Sequence, residues 1–236
     1  MRSTLDSPSP LRYSLMIFIE TFELTIHEGS NMSYPVNFDI SQPEKFQRIQ
    51  IALRFIIIFL FWIINLLSYL YVGLYLLVPL VASILISQKG AERYLRESST
   101  NITKWLSYLV GFNAYMGLLT DKLPIENVMT HFNLKVQPGG KPTIGDPIVR
   151  IILVLPHYIV LSIIAIPFIV FYPLAAIFIL ATETYPELLY SYFRGYVRWQ
   201  TRVYFYVTAV IEEYPPFSFG DKIKSETPPV APTGQL

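Results

Sequence analysis

The sequence predicts an all-α integral membrane protein with short β-strands, built as a tandem duplication of a strand, a hydrophobic helical hairpin (or one long kinked helix) and an amphipathic helix. Three observations carry this expectation. Phe55 to Gln88 holds no formal charge, and Ile151 to Thr182 holds none apart from His157, which can titrate. Arginine and lysine gather just outside both runs. The segments before and after the two runs echo each other. An uncharged stretch of about 18 or more apolar residues is a transmembrane candidate.

Composition agrees. Of 236 residues, 53% are hydrophobic and only 15% charged, where a soluble domain carries about 25% charged residues. The net charge of +1 gives no global basic field and argues against nucleic acid. With no cysteine, the chain has no disulfide scaffold, no thiolate metal site and no Cys nucleophile. The compartment stays open on that ground.

Taken in order, residues 1–31 form a leader of uncertain structure, read as a weak strand or an irregular segment. Its apolar core, Leu15 to Ile19, is followed at once by Glu20 and Glu23, which is too short for a signal peptide. Met32 is a candidate start. A first membrane repeat spans 32–127 and a second 128–220. Residues 221–236, with Pro228, Pro229 and Pro232 and no apolar period, predict a disordered tail.

The repeat is read from matching words. Val36-Asn37-Phe38-Asp39-Ile40 and Phe132-Asn133-Leu134-Lys135-Val136 both alternate like short half-buried strands. A polar, proline-containing stretch follows each, then Arg54 or Arg150, then the apolar run, then a charged segment. Trp105 to Leu119 and Leu188 to Ile211 are the helices that follow. They lead to Thr120-Asp121-Lys122-Leu123-Pro124 in one copy and Glu212-Glu213-Tyr214-Pro215-Pro216 in the other.

The second copy resembles a membrane-protein family known as domain of unknown function 4389. The resemblance rests on Arg150 with Leu155-Pro156-His157, Tyr185-Pro186, Val197-Arg198-Trp199, Arg202-Val203 and Glu213-Tyr214-Pro215-Pro216-Phe217. The first copy is similar at Tyr34-Pro35-Val36, Arg54, Asn113-Ala114-Tyr115 and Leu119-Thr120-Asp121. It departs with Leu60-Phe61 in place of Pro-His, and with Gly111 where the second copy has Arg202. The resemblance implies an integral membrane protein and no particular activity.

A helix over the first run would rise roughly 50 Å, against a hydrocarbon core of about 30 Å. Two shorter spans fit better. The first run has Ser68, Tyr69, Tyr71, Gly73 and Tyr75 near its middle, and the second has Pro167, Tyr172 and Pro173. A hairpin turning at those midpoints keeps every basic cluster on one face, as the positive-inside rule prefers. One long kinked helix per copy is the rival. An even number of crossings puts both strands on the same side, where they can pair.

The sequence has no P-loop, no glycine-rich dinucleotide fingerprint, no HExxH and no GxSxG. It predicts no enzyme, no catalytic residue, no metal site and no cofactor. His157 reads as a neutral hydrogen-bonded histidine, with a proton relay as its rival role. Glu212 and Glu213 read as a solvated end of a helix. Asn101-Ile102-Thr103 fits a glycosylation sequon but falls in the basic segment placed inside. The best binding candidate is Arg194, Arg198 and Arg202. Their spacing puts three guanidiniums on one helical stripe, suited to anionic lipid headgroups or an acidic partner surface.

The expected function is a non-enzymatic scaffold or accessory subunit of the cell membrane. Its partners would be the bilayer, anionic lipids, and a membrane protein or a second copy of the chain. A small transporter or channel is the alternative, and an enzyme acting on lipid comes third.

Overall fold

Two four-residue strands pair across the chain. They are β1 (Val36–Asp39) and β2 (Asn133–Val136), antiparallel, with Val36 opposite Val136 and Phe38 opposite Leu134. The ladder continues through Gln137 N–H to the Pro35 carbonyl. Alternation puts Val36 and Phe38 on the buried face, where Phe38 meets the Phe132 ring at 5.3 Å. The computed structural model of the chain describes residues 34–64, 66–125 and 128–220, the side chains of 61–76 excepted. The leader read at 1–31 and the tail read at 221–236 lie outside these residues.

Seven helices of eight residues or more lie among the described residues. The first run forms α1 (Arg48–Ile64) and α2 (Leu66–Lys89). Gly73 lies inside α2, so the first run does not turn there. After Gly90, with φ 76, a short turn of helix and a π turn at Tyr94–Ser98 lead into α3 (Ser99–Met116). The second run forms α4 (Asp146–Leu153), α5 (Leu155–Ala165) and α6 (Phe168–Thr182), and α7 follows at Glu187–Val207.

Proline sets both breaks of the second run. Pro156 has no N–H for the Ile152 carbonyl, which instead accepts from Val154 N–H. The axis bends by 41° there. Pro167 likewise leaves the Ile163 carbonyl to Ile166 N–H, at 3.1 Å. Pro173, also read as a break, stays inside α6.

The helices pack crosswise. The leading helix α1 lies against α6, the trailing helix of the other run, while α4 lies against α2. Phe46 N–H donates to the Glu183 carbonyl at 2.9 Å, and Arg48 reaches Glu183 at 3.4 Å. The start of one run therefore sits beside the end of the other. Helix α7 packs on β1, α3, α4 and α5, so it forms the core of the assembly.

Among the described residues no single helix is long and apolar enough to cross a membrane. The bent pair α4 and α5 meets that test together, and Leu77–Lys89 and Phe168–Thr182 are shorter apolar helices.

Burial separates apolar residues that look alike in sequence. Phe38 is buried and Ile152 is exposed. In purified protein, Phe38→Ala should lower unfolding stability by about 3–5 kcal/mol, and Ile152→Ala by under about 1 kcal/mol. Thermal unfolding of the two variants side by side checks this.

Candidate functional site

The arginines that open the two apolar runs are not boundary charges. Arg54, 1% exposed, lies inside α1. Its Nε donates to the Tyr115 carbonyl at 2.8 Å, and its Nη2 to the Thr120 carbonyl at 2.6 Å and to Asp121 Oδ1 at 3.1 Å. The guanidinium also covers the Tyr115 ring at 4.4 Å. Arg150, in α4, does the same for the other half. Its Nη1 donates to the Tyr206 carbonyl at 3.0 Å and to the Ile211 carbonyl, and the group lies 4.6 Å over the Tyr206 ring.

The two sites have one construction. In each, the arginine takes a tyrosine carbonyl from the last turn of a core helix and a second carbonyl five residues on. Between them the chain turns through a left-handed residue, Leu118 at φ 62 and Ala209 at φ 56. A helix end leaves carbonyls without intrahelical donors, and a cation there also meets the negative end of the macrodipole. Charge-assisted hydrogen bonds of this kind contribute about 1.5–3 kcal/mol each.

The stripe Arg194, Arg198 and Arg202 does share one side of α7, but that side is covered. Arg198, 8% exposed, donates from Nε to the Phe38 carbonyl of β1 at 2.8 Å and from Nη1 to the Phe219 carbonyl at 3.1 Å. Its Nη2 meets Asp39 Oδ1 at 3.1 Å. Arg202, 1% exposed, donates to the Ser218 carbonyl at 3.0 Å. Arg194 alone is partly exposed, 3.8 Å from Asp39. The stripe therefore binds β1 and the chain's own Ser218 and Phe219 carbonyls, and presents no exposed row of guanidiniums. Helical spacing shows which residues share a side; it does not show what lies on that side.

Gly111 marks a close approach on α3. A Cβ on Gly111 would stand 2.5 Å from Val128 Cγ2 and 3.0 Å from Pro124 Cβ, so the segment after α3 lies directly on the helix backbone there. On α7, Arg202 instead reaches out to the Ser218 carbonyl. Gly195 plays the close-approach role in α7, beneath the Phe219 ring.

His157 is fully buried in α5. Its Nδ1 accepts from the Trp199 indole N–H at 3.0 Å, and its ring stacks on Phe217 at 4.0 Å and tilts on Tyr214 at 4.8 Å. The acceptor role at Nδ1 places the proton of the neutral ring on Nε2. Glu212 and Glu213 are exposed beyond the end of α7. Two phenols also join the buried polar framework. Tyr94 donates to the Thr208 carbonyl, and Tyr190 to the Ile40 carbonyl at 3.2 Å. Burial pushes both phenols up, so both remain protonated donors.

Sequence reading missed Arg54 and Arg150 as structural groups. The signal was present: each is the last charge before an apolar run, with a tyrosine and a polar turn far downstream. Arg54→Met should destabilise the fold by about 3 kcal/mol or more, because it removes the donor of the buried Thr120 carbonyl, a charge-assisted bond to the Tyr115 carbonyl and the cationic partner of Asp121. Arg54→Lys should recover little, since one ammonium does not reproduce the fork. Exposed Arg48→Met should cost under about 1 kcal/mol. Thermal unfolding of the three proteins, in one buffer, provides the comparison.

Comparison with known proteins adds one finding. No curated protein and no solved structure matches the chain. Residues 146–218, which carry α4 to α7 with Arg150, His157, Arg198 and Arg202, match a single copy of the family described as Domain of unknown function (DUF4389).

Proposed function

We propose that the chain is a multi-pass integral membrane protein of the cell membrane, built from two tandem copies of one unit. It acts as a non-enzymatic scaffold or accessory subunit for anionic lipid or a membrane partner. The observation that carries this reading is an inverted distribution of side chains. Helices α1, α2, α4, α5 and α6 expose large aliphatic residues, among them Ile56, Ile84, Ile152, Ile163 and Ile169, the last 77% exposed. Helix α7, which holds three arginines, is buried along most of its length. A soluble monomer rarely exposes contiguous apolar patches beyond a few hundred Å². Lipid is the solvent in which such faces are stable.

The duplicated unit is supported by the matched arginine sites and by the sheet, in which the equivalent residues Phe38 and Leu134 face each other. The same pairing supports an even number of crossings per copy, because the strands that lead into the two runs lie side by side. The non-enzymatic reading is supported by the bonding of Arg54, Arg150 and Arg198 to backbone carbonyls, which makes them structural.

Two measurements test the proposal. The chain should stay in the membrane pellet after alkaline carbonate extraction; release into the supernatant would sink the membrane reading. For topology, Ile166→Cys, at the break between α5 and α6, and Glu183→Cys, just past the end of α6, should react with an impermeant thiol reagent from opposite sides of the membrane. Labelling of both from one side contradicts the hairpin.

A further inference from the structure

We propose that the outward face of the π turn and α3, carrying Arg93, Arg96, Lys104 and Trp105, docks on the anionic headgroup layer of a lipid bilayer. This rests on the membrane reading above and identifies where the protein holds the lipid surface.

The face is defined by exposure. Residues 92, 93, 96, 97, 100, 101, 104 and 105 are exposed, a spacing of threes and fours that marks one side of a helix. Tyr94, Ser98, Leu106 and Val110 are buried on the other side. The outward side is polar until it reaches Trp105, whose side chain is 76% exposed. Tryptophan is highly buried on average in soluble proteins. At a membrane–water interface its apolar body and its N–H are both accommodated. Beside it stands Lys104, one turn from Thr100 and two turns from Arg96.

The bases are placed for phosphate. Glu97 accepts from Arg93 at 2.9 Å and pairs with Lys89 at 3.5 Å, but Arg96 approaches it only at 3.9 Å and extends into solvent. Arginine offers a planar fork of donors that matches a phosphate oxygen pair. Arg93, Arg96 and Lys104 outnumber Glu92 and Glu97 on this face, so it is net positive. Its position also fits. It begins one residue after α2 ends, where the first apolar run gives way to charge. A tryptophan with lysine and arginine just outside an apolar run is the composition of an interfacial anchor.

The second half has no equivalent surface. There the corresponding helix is α7, whose arginines are turned to β1 and the 218–219 segment. The anionic-surface role that spacing suggested for Arg194, Arg198 and Arg202 therefore belongs to the uncovered helix of the first half.

The test uses the full chain in nanodiscs of phosphatidylcholine with phosphatidylglycerol as the minor component. Native mass spectrometry counts the phosphatidylglycerol that stays bound after detergent release. The triple variant R93Q/R96Q/K104Q should lose most of it, since each base at an anionic surface is worth a factor of about five in binding. Arg194→Gln should retain the wild-type amount. In a second arm, a polarity-sensitive fluorophore on Trp105→Cys should be quenched by brominated acyl chains and shielded from aqueous iodide, and one on Glu92→Cys the reverse. Unchanged retention in the triple variant, or iodide quenching at 105 equal to that at 92, overturns the proposal. If these proteins remain carbonate-resistant, the membrane reading survives that result. Release of the wild-type chain by carbonate refutes the membrane reading instead.

Discussion

A helix that ends inside a protein must find donors for its last carbonyls, and the structure depends on how this chain supplies them. Helices α3 and α7 both stop within the packed interior. Each is closed by a guanidinium sent in from an apolar run, Arg54 to the end of α3 and Arg150 to the end of α7. Burying an arginine is expensive unless most of its donors are met and its charge is balanced. Here carbonyls, a tyrosine face and, for Arg54, the carboxylate of Asp121 do this. The bond also works in the other direction: it fixes an apolar helix, which has no polar partner of its own, at one place along a polar core helix.

From that constraint follows the arrangement of the rest. With α3 and α7 held by the opening turns of the runs, the strands ahead of those turns come together as β1 and β2. The leading helix of each run meets the trailing helix of the other. Arg198 then ties α7 to β1 through the Phe38 carbonyl, so strand pair, core helix and both runs share one bonded framework. The polar helix ends up inside and the aliphatic helices outside. That order is opposite to a soluble bundle, in which the apolar stripe of each helix faces the core.

Much of this was legible in the sequence, and the misses have identifiable causes. Period-two alternation located both strands within one residue at each end. The uncharged runs gave the apolar helices, and Pro167 gave one of the breaks through its missing N–H. Pro173 did not break its helix, because one lost hydrogen bond is tolerated when the flanking turns stay packed. Gly73 was read as a turn from its place among tyrosines at the midpoint of the run, yet lies within α2. The three arginines of α7 share one side of the helix, as their spacing implies. What covers them, β1 from more than a hundred residues earlier and the 216–219 segment, is a long-range contact that local periodicity does not encode. Trp105 opens an uncharged helix in the sequence, and its significance comes from an exposure that composition does not report.

The central claim is that the aliphatic faces of α4 and α5 meet lipid while the arginine and histidine between them face the protein core. Nitroxide scanning of residues 148 to 163 in lipid vesicles tests it most directly, with accessibility to oxygen and to a water-soluble nickel reagent read at each site. The account predicts oxygen accessibility, with little nickel accessibility, at Ile148, Val149, Ile152, Ile159 and Ile163, and low values for both reagents at Val154 and Leu161. Nickel accessibility at the isoleucine positions equal to that of an exposed loop would contradict it.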